Sequence, residues 1–214
     1  MHVISINIRG LNNKTKRQTL FHWLDINNFD IVLLQETFCT KENQETFTKD
    51  WKGNSFHCLS SSTHSKGVSI LIQNKFDHKC LSCFSDENGR KILINIDHNG
   101  HTYSICSIYA PTEVTQRKLF FHSSQKWIEE KALNTNCLTI GGDFNCSLTN
   151  KDRKTPNVDR SRDAFKKFIS NLKLKDTYSQ LNADKLGYTY SNANGSVQSR
   201  IDYILCSEYM KPNT

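Results

Sequence analysis

The sequence predicts an α/β fold in which mixed β-sheets are flanked by helices. Runs that alternate apolar and polar residues, typical of strands, are interleaved with segments whose apolar residues recur at helical spacing. Neighbouring strand candidates are joined by hairpin turns, which favours mixed sheets over purely parallel ones. At 214 residues the chain is long enough for one domain over 1–214, layered as helix, sheet, sheet and helix.

Strands are predicted where apolar residues alternate with polar ones or form a short run bounded by turn residues. The hairpin signal His98-Asn99-Gly100 joins two of them, and Pro111 ends the second. The strand candidates, in chain order, are residues 2–8, 29–35, 68–73, 91–96, 103–109, 138–142, 188–190 and 200–205.

Helices are predicted where apolar residues fall three or four positions apart. Residues 14–27 have this pattern with a basic start, and residues 164–172 have the clearest pattern in the chain. Residues 116–133 predict a third helix, with candidate buried positions at Leu119, Phe120, Trp127, Ile128 and Leu133. The polar residues 41–50 fit either a short helix or a loop.

Charge and composition limit the class of protein. The net charge of +7 favours a polyanionic partner, nucleic acid first, although a solvated basic surface without such a partner is the alternative. No apolar run is long enough for a membrane span and no secretory signal opens the chain, so we expect a nuclear or cytoplasmic, non-secreted protein without membrane contact. The eight cysteines are then expected to be reduced, and the Cys80-Leu81-Ser82-Cys83 pair to be structural.

Residues 138–145 form the most informative stretch. An apolar run ends in Gly141 and Gly142, which permit a sharp turn and close approach to a ligand. Asp143 and Asn145 follow at the carboxyl end of the predicted strand, where α/β sheets usually bind ligands. The alternative is a strand-to-loop turn in which Asp143 and Asn145 only cap the backbone.

Polar side chains also stand at the exits of other predicted strands. Each has an ordinary structural explanation as a turn, a cap or a rim residue. Their shared placement instead predicts one site. These residues are Asn7, Glu36, Tyr109, Asp143, Asn145 and Asp202.

Six motifs in the same order as in a known family cover nearly the whole chain. With them the sequence resembles the endonuclease/exonuclease/phosphatase superfamily, which includes DNase I and the abasic-site endonucleases. Within it, the chain most resembles the endonuclease domain of LINE-type (non-LTR) retrotransposons. Each motif alone is weak, and the ordered set is strong. The motifs are SINIRGL (5–11), LQET (34–37), KGVSILI (66–72), IYAP (108–111), GDFN (142–145) and SRIDYI (199–204).

The resemblance implies a four-layer, DNase I-like α/β sandwich and hydrolysis of a phosphodiester with Mg²⁺, or Mn²⁺, as cofactor. Glu36 matches the metal ligand of the family, and Asn7 matches an amide at the metal site. Asp143 matches the residue that activates the attacking water, and Asn145 matches the residue that holds this water or the phosphate.

Two more matches complete the implied site. Tyr109 matches a phenol that donates to the phosphate as negative charge builds, and Asp202 matches the acid that orients a catalytic histidine. The family carries this histidine in a closing Ser-Asp-His motif, next to a strand that should pair near the amino-terminal strand. The sequence ends at Thr214 without the motif. We therefore expect a piece of a longer polyprotein or a truncated copy, lacking its last strand and cleaving DNA poorly.

The resemblance also implies a DNA interface. The hairpin tip at 192–199 corresponds to the hairpin that family members insert into the minor groove, and Thr189 matches a polar position near the site. For each lysine, a solvated surface charge is the alternative. The expected DNA-binding residues are Arg9, Arg153, Thr189, Asn192, Asn194 and Ser199, with Lys14, Lys16, Arg17, Lys151 and Lys154 as further candidate phosphate contacts.

Three functions are compatible with these motifs. The first is an endonuclease, a monomer within a reverse-transcriptase polyprotein, that nicks target DNA to prime reverse transcription. The second keeps the fold but acts as a phosphatase or a deadenylase. The third is a catalytically dead remnant that only binds nucleic acid.

Overall fold

The structure, a computed structural model, describes residues 1–155, 159–182, 185 and 187–210. Over these residues, two β-sheets pack face to face between two layers of helices. The predicted α/β fold with two mixed sheets flanked by helices is confirmed. In the part of the chain that is described, no helix has both the length and the apolar character that a bilayer crossing requires.

The first sheet has four strands in the order β1-β2-β4-β3. β1 and β2 are parallel, and the other two pairs are antiparallel. Within the described residues β1 is an edge strand, on the side where the family resemblance predicts a further strand. The bounds are Val3–Asn7 for β1, Ile31–Gln35 for β2, Asn54–Cys58 for β3 and Val68–Ile72 for β4.

The second sheet has six strands in the order β5-β6-β7-β8-β12-β9. Only β7 and β8 are parallel neighbours. A separate hairpin pairs β10 with β11. The bounds are Lys79–Ser85 for β5, Lys91–His98 for β6, His101–Tyr109 for β7, Leu138–Asp143 for β8, Leu174–Asp176 for β9, Tyr190–Ser191 for β10, Gln198–Ser199 for β11 and Asp202–Ser207 for β12.

Helices cover the outer face of each sheet. Three of them begin at a side-chain cap: the Asn13 side chain accepts a hydrogen bond from the amide of Lys16, and the carboxylates of Glu113 and Asp176 each accept from two backbone amides. The bounds are Lys14–Ile26 for α1, Gln44–Asp50 for α2, Val114–Lys131 for α3, Arg162–Asn171 for α4 and Thr177–Leu181 for α5.

Three buried apolar clusters hold the layers together. Aliphatic side chains from both sheets, such as Ile70 and Ile94, fill the space between them. Phenylalanines from α3, α4 and the end of β8 form a second cluster, in which the Phe121 and Phe165 rings stack 4.9 Å apart. A third lies under α1 and α2. Because both faces are covered, β2 and β4 are buried at every position.

Two sequence predictions differ from the structure in ways that have physical reasons. The strands β3, β5 and β9 are not predicted from the sequence. All three lie at the edge of a sheet, and β3 is largely polar, β5 largely exposed and β9 only three residues long. Leu119 and Leu133 are 68% and 63% exposed, so their predicted burial is wrong. The predicted burial of Phe120 and Ile128 is confirmed, and Phe121 packs inward beside them.

Gly141 and Gly142 approach neighbouring strands rather than a ligand. A Cβ atom on Gly141 would lie 2.4 Å from Cδ1 of Leu33 in the other sheet. A Cβ atom on Gly142, whose φ is +156°, would lie 1.9 Å from the Ile108 carbonyl oxygen. The two glycines therefore let β8 pack closely between β7 and the first sheet, which sets the position of Asp143.

We expect Gly142→Ala to lower the free energy of unfolding by about 3 kcal/mol, since a backbone carbonyl cannot move aside as a side chain can. Urea denaturation gives the difference. Gly100→Ala is the control, because Gly100 also has a positive φ, +75°, but no atom within 4 Å of the added Cβ; it should cost only about 1 kcal/mol. Equal losses in the two variants would contradict the proposed clash with Ile108.

Candidate active site

Five strand ends bring polar side chains together at one end of the two sheets. Asn7 ends β1 and Glu36 follows β2 in the first sheet. Tyr109 ends β7, Asp143 ends β8 and Asp202 begins β12 in the second. The register places Tyr109 and Asp202 opposite Asp143, one on each side. The clustering of these five residues at strand ends, predicted from the sequence, is observed.

Asn7 connects the two sheets through its side-chain amide. Its Nδ2 donates to Oε1 of Glu36 at 2.8 Å and to Oδ2 of Asp143 at 3.0 Å. The carboxylates of Glu36 and Asp143 therefore both accept a hydrogen bond from the same amide group. A cavity of about 480 Å³ opens here, with Asn7, Asp143, Thr189 and Asp202 among its lining residues.

Glu36 is held in a backbone conformation that few residues adopt. Its φ is +51°, in the left-handed region that costs an ordinary residue about 1–2 kcal/mol. Its carbonyl accepts a hydrogen bond from the amide of Gly10 at 2.6 Å, and the next amide, of Thr37, donates to the carbonyl of Gly67 at 3.0 Å. Two loops thus fix the direction in which the Glu36 carboxylate leaves the strand.

Asn145 is fixed by hydrogen bonds to the neighbouring strand ends. Its backbone amide donates to Oδ1 of Asp143 at 2.8 Å, and its Nδ2 donates to the Ala110 carbonyl at 2.8 Å. The capping turn considered from the sequence is therefore present, but it occupies only Oδ1 of Asp143. A carboxamide whose nitrogen donates still has its oxygen as an acceptor.

Burial and mutual repulsion shift the titration of the acidic groups. Burial, and next the negative charge of Asp202, raise the pKa of Asp143 to about 7. Burial also raises the pKa of Asp202, against the effects of Thr189 and Arg9. Burial and then the charge of Glu36 raise the pKa of the Tyr109 phenol above its usual range. A site of this kind favours a proton or a cation between its acidic groups.

Arg90 belongs to this site and was not singled out from the sequence. Its guanidinium carbon lies 5.2 Å from the centre of the Tyr109 ring, and its Nη1 donates to the Tyr109 carbonyl at 3.2 Å. The charge of Glu36 acts on it as well. The Asn88-Gly89 turn before it predicts the loop, but no local pattern indicates that the loop returns to the end of β7.

Thr189 and the β10–β11 hairpin lie beside Asp202. The Thr189 hydroxyl accepts hydrogen bonds from the amides of Ile201 and Asp202, at 3.1 and 3.2 Å. In the hairpin tip, the Asn192 side chain accepts from the amide of Val197 at 2.9 Å. The side chain of Asn194 also bonds within the tip, so internal hydrogen bonds shape this projecting loop.

Two predicted nucleic-acid contacts do not fit the structure. Ser199 is only 4% exposed, since it pairs with Tyr190 on one side and with Arg153 on the other. Arg17 is 3% exposed, and its Nε donates to Asp50 at 2.7 Å. Both predictions are wrong, because side chains that are paired and buried do not face a duplex.

Residues 4–213 match the Endonuclease/Exonuclease/phosphatase family. The chain belongs to this family. A transposon TX1 protein of 149 kDa from Xenopus laevis, itself described as uncharacterized, is 30% identical over 213 residues. The match covers 98% of this chain and 16% of that protein. The predicted membership of the endonuclease/exonuclease/phosphatase superfamily, with similarity to transposon proteins, is confirmed.

Two solved structures share the fold of this endonuclease/exonuclease/phosphatase family member. The 3′ phosphatase NExo from Neisseria, bound to product DNA hairpin, superposes with a TM-score of 0.79 at 16% identity, covering 97% of this chain and 87% of that one. The endonuclease domain of TRAS1, a telomere-specific non-LTR retrotransposon, has a TM-score of 0.68 at 19% identity, covering 97% and 85%. The DNase I-like architecture is thereby confirmed.

The donor set of this family member suits a hard cation. The described residues contain no group of three or more His, Cys, Asp or Glu side chains arranged to hold a metal. Mg²⁺ prefers oxygen ligands, keeps several waters and often takes only one or two carboxylates from the protein. Glu36, with the buried negative charge of Asp143 beyond the Asn7 amide, fits this chemistry.

Asp202 has no histidine partner among the residues that the structure describes. The groups that act on it are Thr189, Arg9 and Glu36. In the family pattern that the sequence resembles, this acid would orient a histidine. The role that the resemblance implies for Asp202 is therefore incomplete in the described part of the chain.

Proposed function

We propose that this chain is the catalytic portion of an endonuclease that nicks DNA by Mg²⁺-dependent hydrolysis of a phosphodiester during insertion of a mobile element. The observation that carries the proposal is the Asn7 amide, which joins Glu36 and Asp143 at the strand ends of a member of this family. The transposon relative supports the biological context. We further propose that the chain acts as a monomer within a longer polyprotein, in the nucleus or the cytoplasm.

DNA is the proposed substrate for two reasons. The net charge of +7 favours a polyanion, and the neighbour from Neisseria was solved with product DNA. Arg9 and Thr189 line the cavity beside Asp202, where they would meet the substrate. Arg153 and the tip residues Asn192 and Asn194 would contact the duplex outside the cleaved bond.

Glu36, with Asn7 beside it, would hold the cation. When bound, Mg²⁺ polarises the phosphate and neutralises charge on the leaving oxygen; Mn²⁺ has the same preference for oxygen ligands. To offer its oxygen, the Asn7 amide must rotate away from the arrangement in which its nitrogen faces both carboxylates. Until then, this amide keeps Glu36 and Asp143 apart and correctly directed.

Asp143 would take the proton from the attacking water. A base works best with a pKa near the working pH, and burial raises the pKa of Asp143 to about 7. The Asn145 carboxamide would hold the water or a phosphate oxygen. The Tyr109 phenol, whose raised pKa keeps it protonated, would donate to the phosphate as negative charge develops.

A Mg²⁺ titration of plasmid nicking by the 214-residue chain tests the proposal. We expect nicking to be slow, to stop with a chelator, and to need at least about tenfold more Mg²⁺ after Glu36→Ala. Glu130→Ala removes an exposed carboxylate on α3 and should leave the titration unchanged. Nicking that persists in a chelator, or that Glu36→Ala leaves unchanged, would refute the assignment.

A further inference from the structure

A second charged cavity lies apart from the candidate active site. It measures about 670 Å³ and opens between the start of α3 and the segment that leads into α4. Glu113 and Lys118 line it from the α3 side, and Arg153, Asp159 and Arg160 line it from the other. The sequence patterns singled out only Arg153 among these residues.

The two carboxylates of this cavity already accept hydrogen bonds from other groups. Glu113 accepts from the amides of Thr115 and Gln116 at 2.8 and 2.6 Å, where it caps α3. Asp159 accepts two hydrogen bonds from the buried Arg117, at 3.1 and 3.0 Å. Among the described residues neither acid forms an ion pair with the positive side chains across the cavity, and the charge of Asp159 is balanced by Arg117. Three positive side chains therefore exceed the one carboxylate charge that remains, that of Glu113.

The three cations are not paired in the same way. Over 1–155, 159–182, 185 and 187–210, the side chains of Lys118, Arg153 and Arg160 make no ion pair with a protein group. Three unpaired positive charges that converge on one open cavity attract an anion. Two guanidinium groups further suit phosphate oxygens, which they bind through paired N–H donors.

The cavity is close along the chain to the candidate active site, because α3 begins shortly after β7 ends. Only three residues lie between Tyr109 and Glu113, so four steps of extended chain, about 14 Å at most, join the two places. The intervening Ala110 is held to Asn145 of the active site, and Arg153 pairs with Ser199 at the foot of the hairpin. With a rise of 3.4 Å per nucleotide, 14 Å corresponds to about four nucleotides of one strand.

We propose that Lys118, Arg153 and Arg160 form a phosphate subsite that binds the backbone of the nucleic acid within about four nucleotides of the cleaved bond. The proposal rests on the DNA substrate proposed above. The subsite would fix the register of the strand on the protein and carry no sequence preference, as is usual for backbone contacts.

Binding of a labelled 20-base-pair duplex to the 214-residue chain, measured by anisotropy over a range of salt, tests this subsite. Each phosphate contact contributes about 0.9 to the slope of log affinity against log salt concentration. We expect the double variant Lys118→Ala/Arg160→Ala, which removes two of the three cations assigned to one phosphate subsite, to lose that one contact: about 1 from this slope, with about fivefold weaker binding at low salt.

The control is Lys126→Ala/Lys167→Ala, which removes two exposed charges from α3 and α4 outside the cavity. If both double variants lose equally, or neither loses, the subsite is refuted while the DNA substrate stands. If the wild-type chain binds no duplex at low salt, the proposed function fails, and the subsite with it. Titrations of the same variants with inorganic phosphate distinguish free phosphate from the DNA backbone as the ligand. If phosphate binds tightly through Lys118 and Arg160 but their replacement leaves DNA binding unchanged, the backbone contact is refuted.

Discussion

Extending the chain with a family carboxyl terminus that carries the Ser-Asp-His motif is expected to raise the rate of Mg²⁺-dependent plasmid nicking about 100- to 1,000-fold. This is the range by which single preorganised donors to a developing oxyanion change catalytic rates. Asp202 begins β12 directly beside Asp143, where it would orient the added histidine toward the phosphate. In the described residues, Asp202 has no such partner.

The open edge of β1 offers the place for the added strand. The amide of Ile8 donates to Gln35 and the carbonyl of His2 accepts from Ile31, so the even-numbered residues of β1 bond to β2. In a strand the alternate residues point the other way, which directs the main-chain groups of Val3 and Ser5 to the edge. A strand there would run beside the active-site cavity, which Ser5, Asp143 and Asp202 line.

Two controls separate the histidine from the strand. The extended chain with the motif histidine replaced by alanine should regain stability, seen as a higher melting temperature, but not the rate. The extended chain with Glu36→Ala should lose metal-dependent nicking. An extended chain that is no faster than the 214-residue chain, although its melting temperature rises, would contradict the role assigned to the histidine.

The sequence was most informative where chemistry follows a buried strand. β2 and β8 are apolar runs with a polar residue at or directly after the end of the strand. The sequence therefore predicts that Glu36 and Asp143 both lie at strand ends. Their common location follows from the rule that ligands bind beyond the carboxyl ends of strands. Once the strands pair in the observed register, Tyr109 and Asp202 lie on either side of Asp143.

The remaining features depend on contacts between distant segments. The Asn7 amide bridges the two sheets by a hydrogen bond to Asp143, which lies 136 residues away in sequence. No local sequence pattern predicts a contact over that separation. Arg90 and Arg160 belong to loops whose direction is decided by packing. Ser199 is polar and lies in a hairpin, so the sequence placed it on the surface, whereas pairing on both sides buries it.

Asp143→Asn is expected to slow nicking by the extended chain about 1,000-fold and to stabilise the metal-free chain. The loss of rate follows from the loss of the group that takes the proton, for which 100- to 10,000-fold effects are typical. The gain in stability has a separate cause. Asparagine fills the same space but carries no charge into a buried site that already contains Asp202 and Glu36.

The pH dependence gives the sign of this second effect. The pKa of Asp143 is raised from 3.8 to about 7 in the folded chain, so between pH 4 and 7 the folded chain keeps a proton that the unfolded chain loses. Stability due to this group therefore falls as the pH rises through that window. The Asp143→Asn variant does not show this loss of stability, because it lacks the titrating carboxyl group. We expect the variant to be more stable by about 2 kcal/mol at pH 8, and by less at pH 5, after allowing for the weakened hydrogen bond to Asn7.

Urea denaturation at pH 5 and pH 8, without metal and then with saturating Mg²⁺, measures the effect. Mg²⁺ should reduce the difference at pH 8, because the folded wild type, which keeps the negative charge of Asp143 beside Glu36, binds the cation more tightly than the variant and is stabilised more by mass action. Asp77→Asn, which neutralises an exposed carboxylate, should change neither the rate nor the pH dependence. If Asp143→Asn destabilises the chain at pH 8 as much as at pH 5, Asp143 is a structural cap rather than a strained acid, and its assignment as the catalytic base loses its physical support.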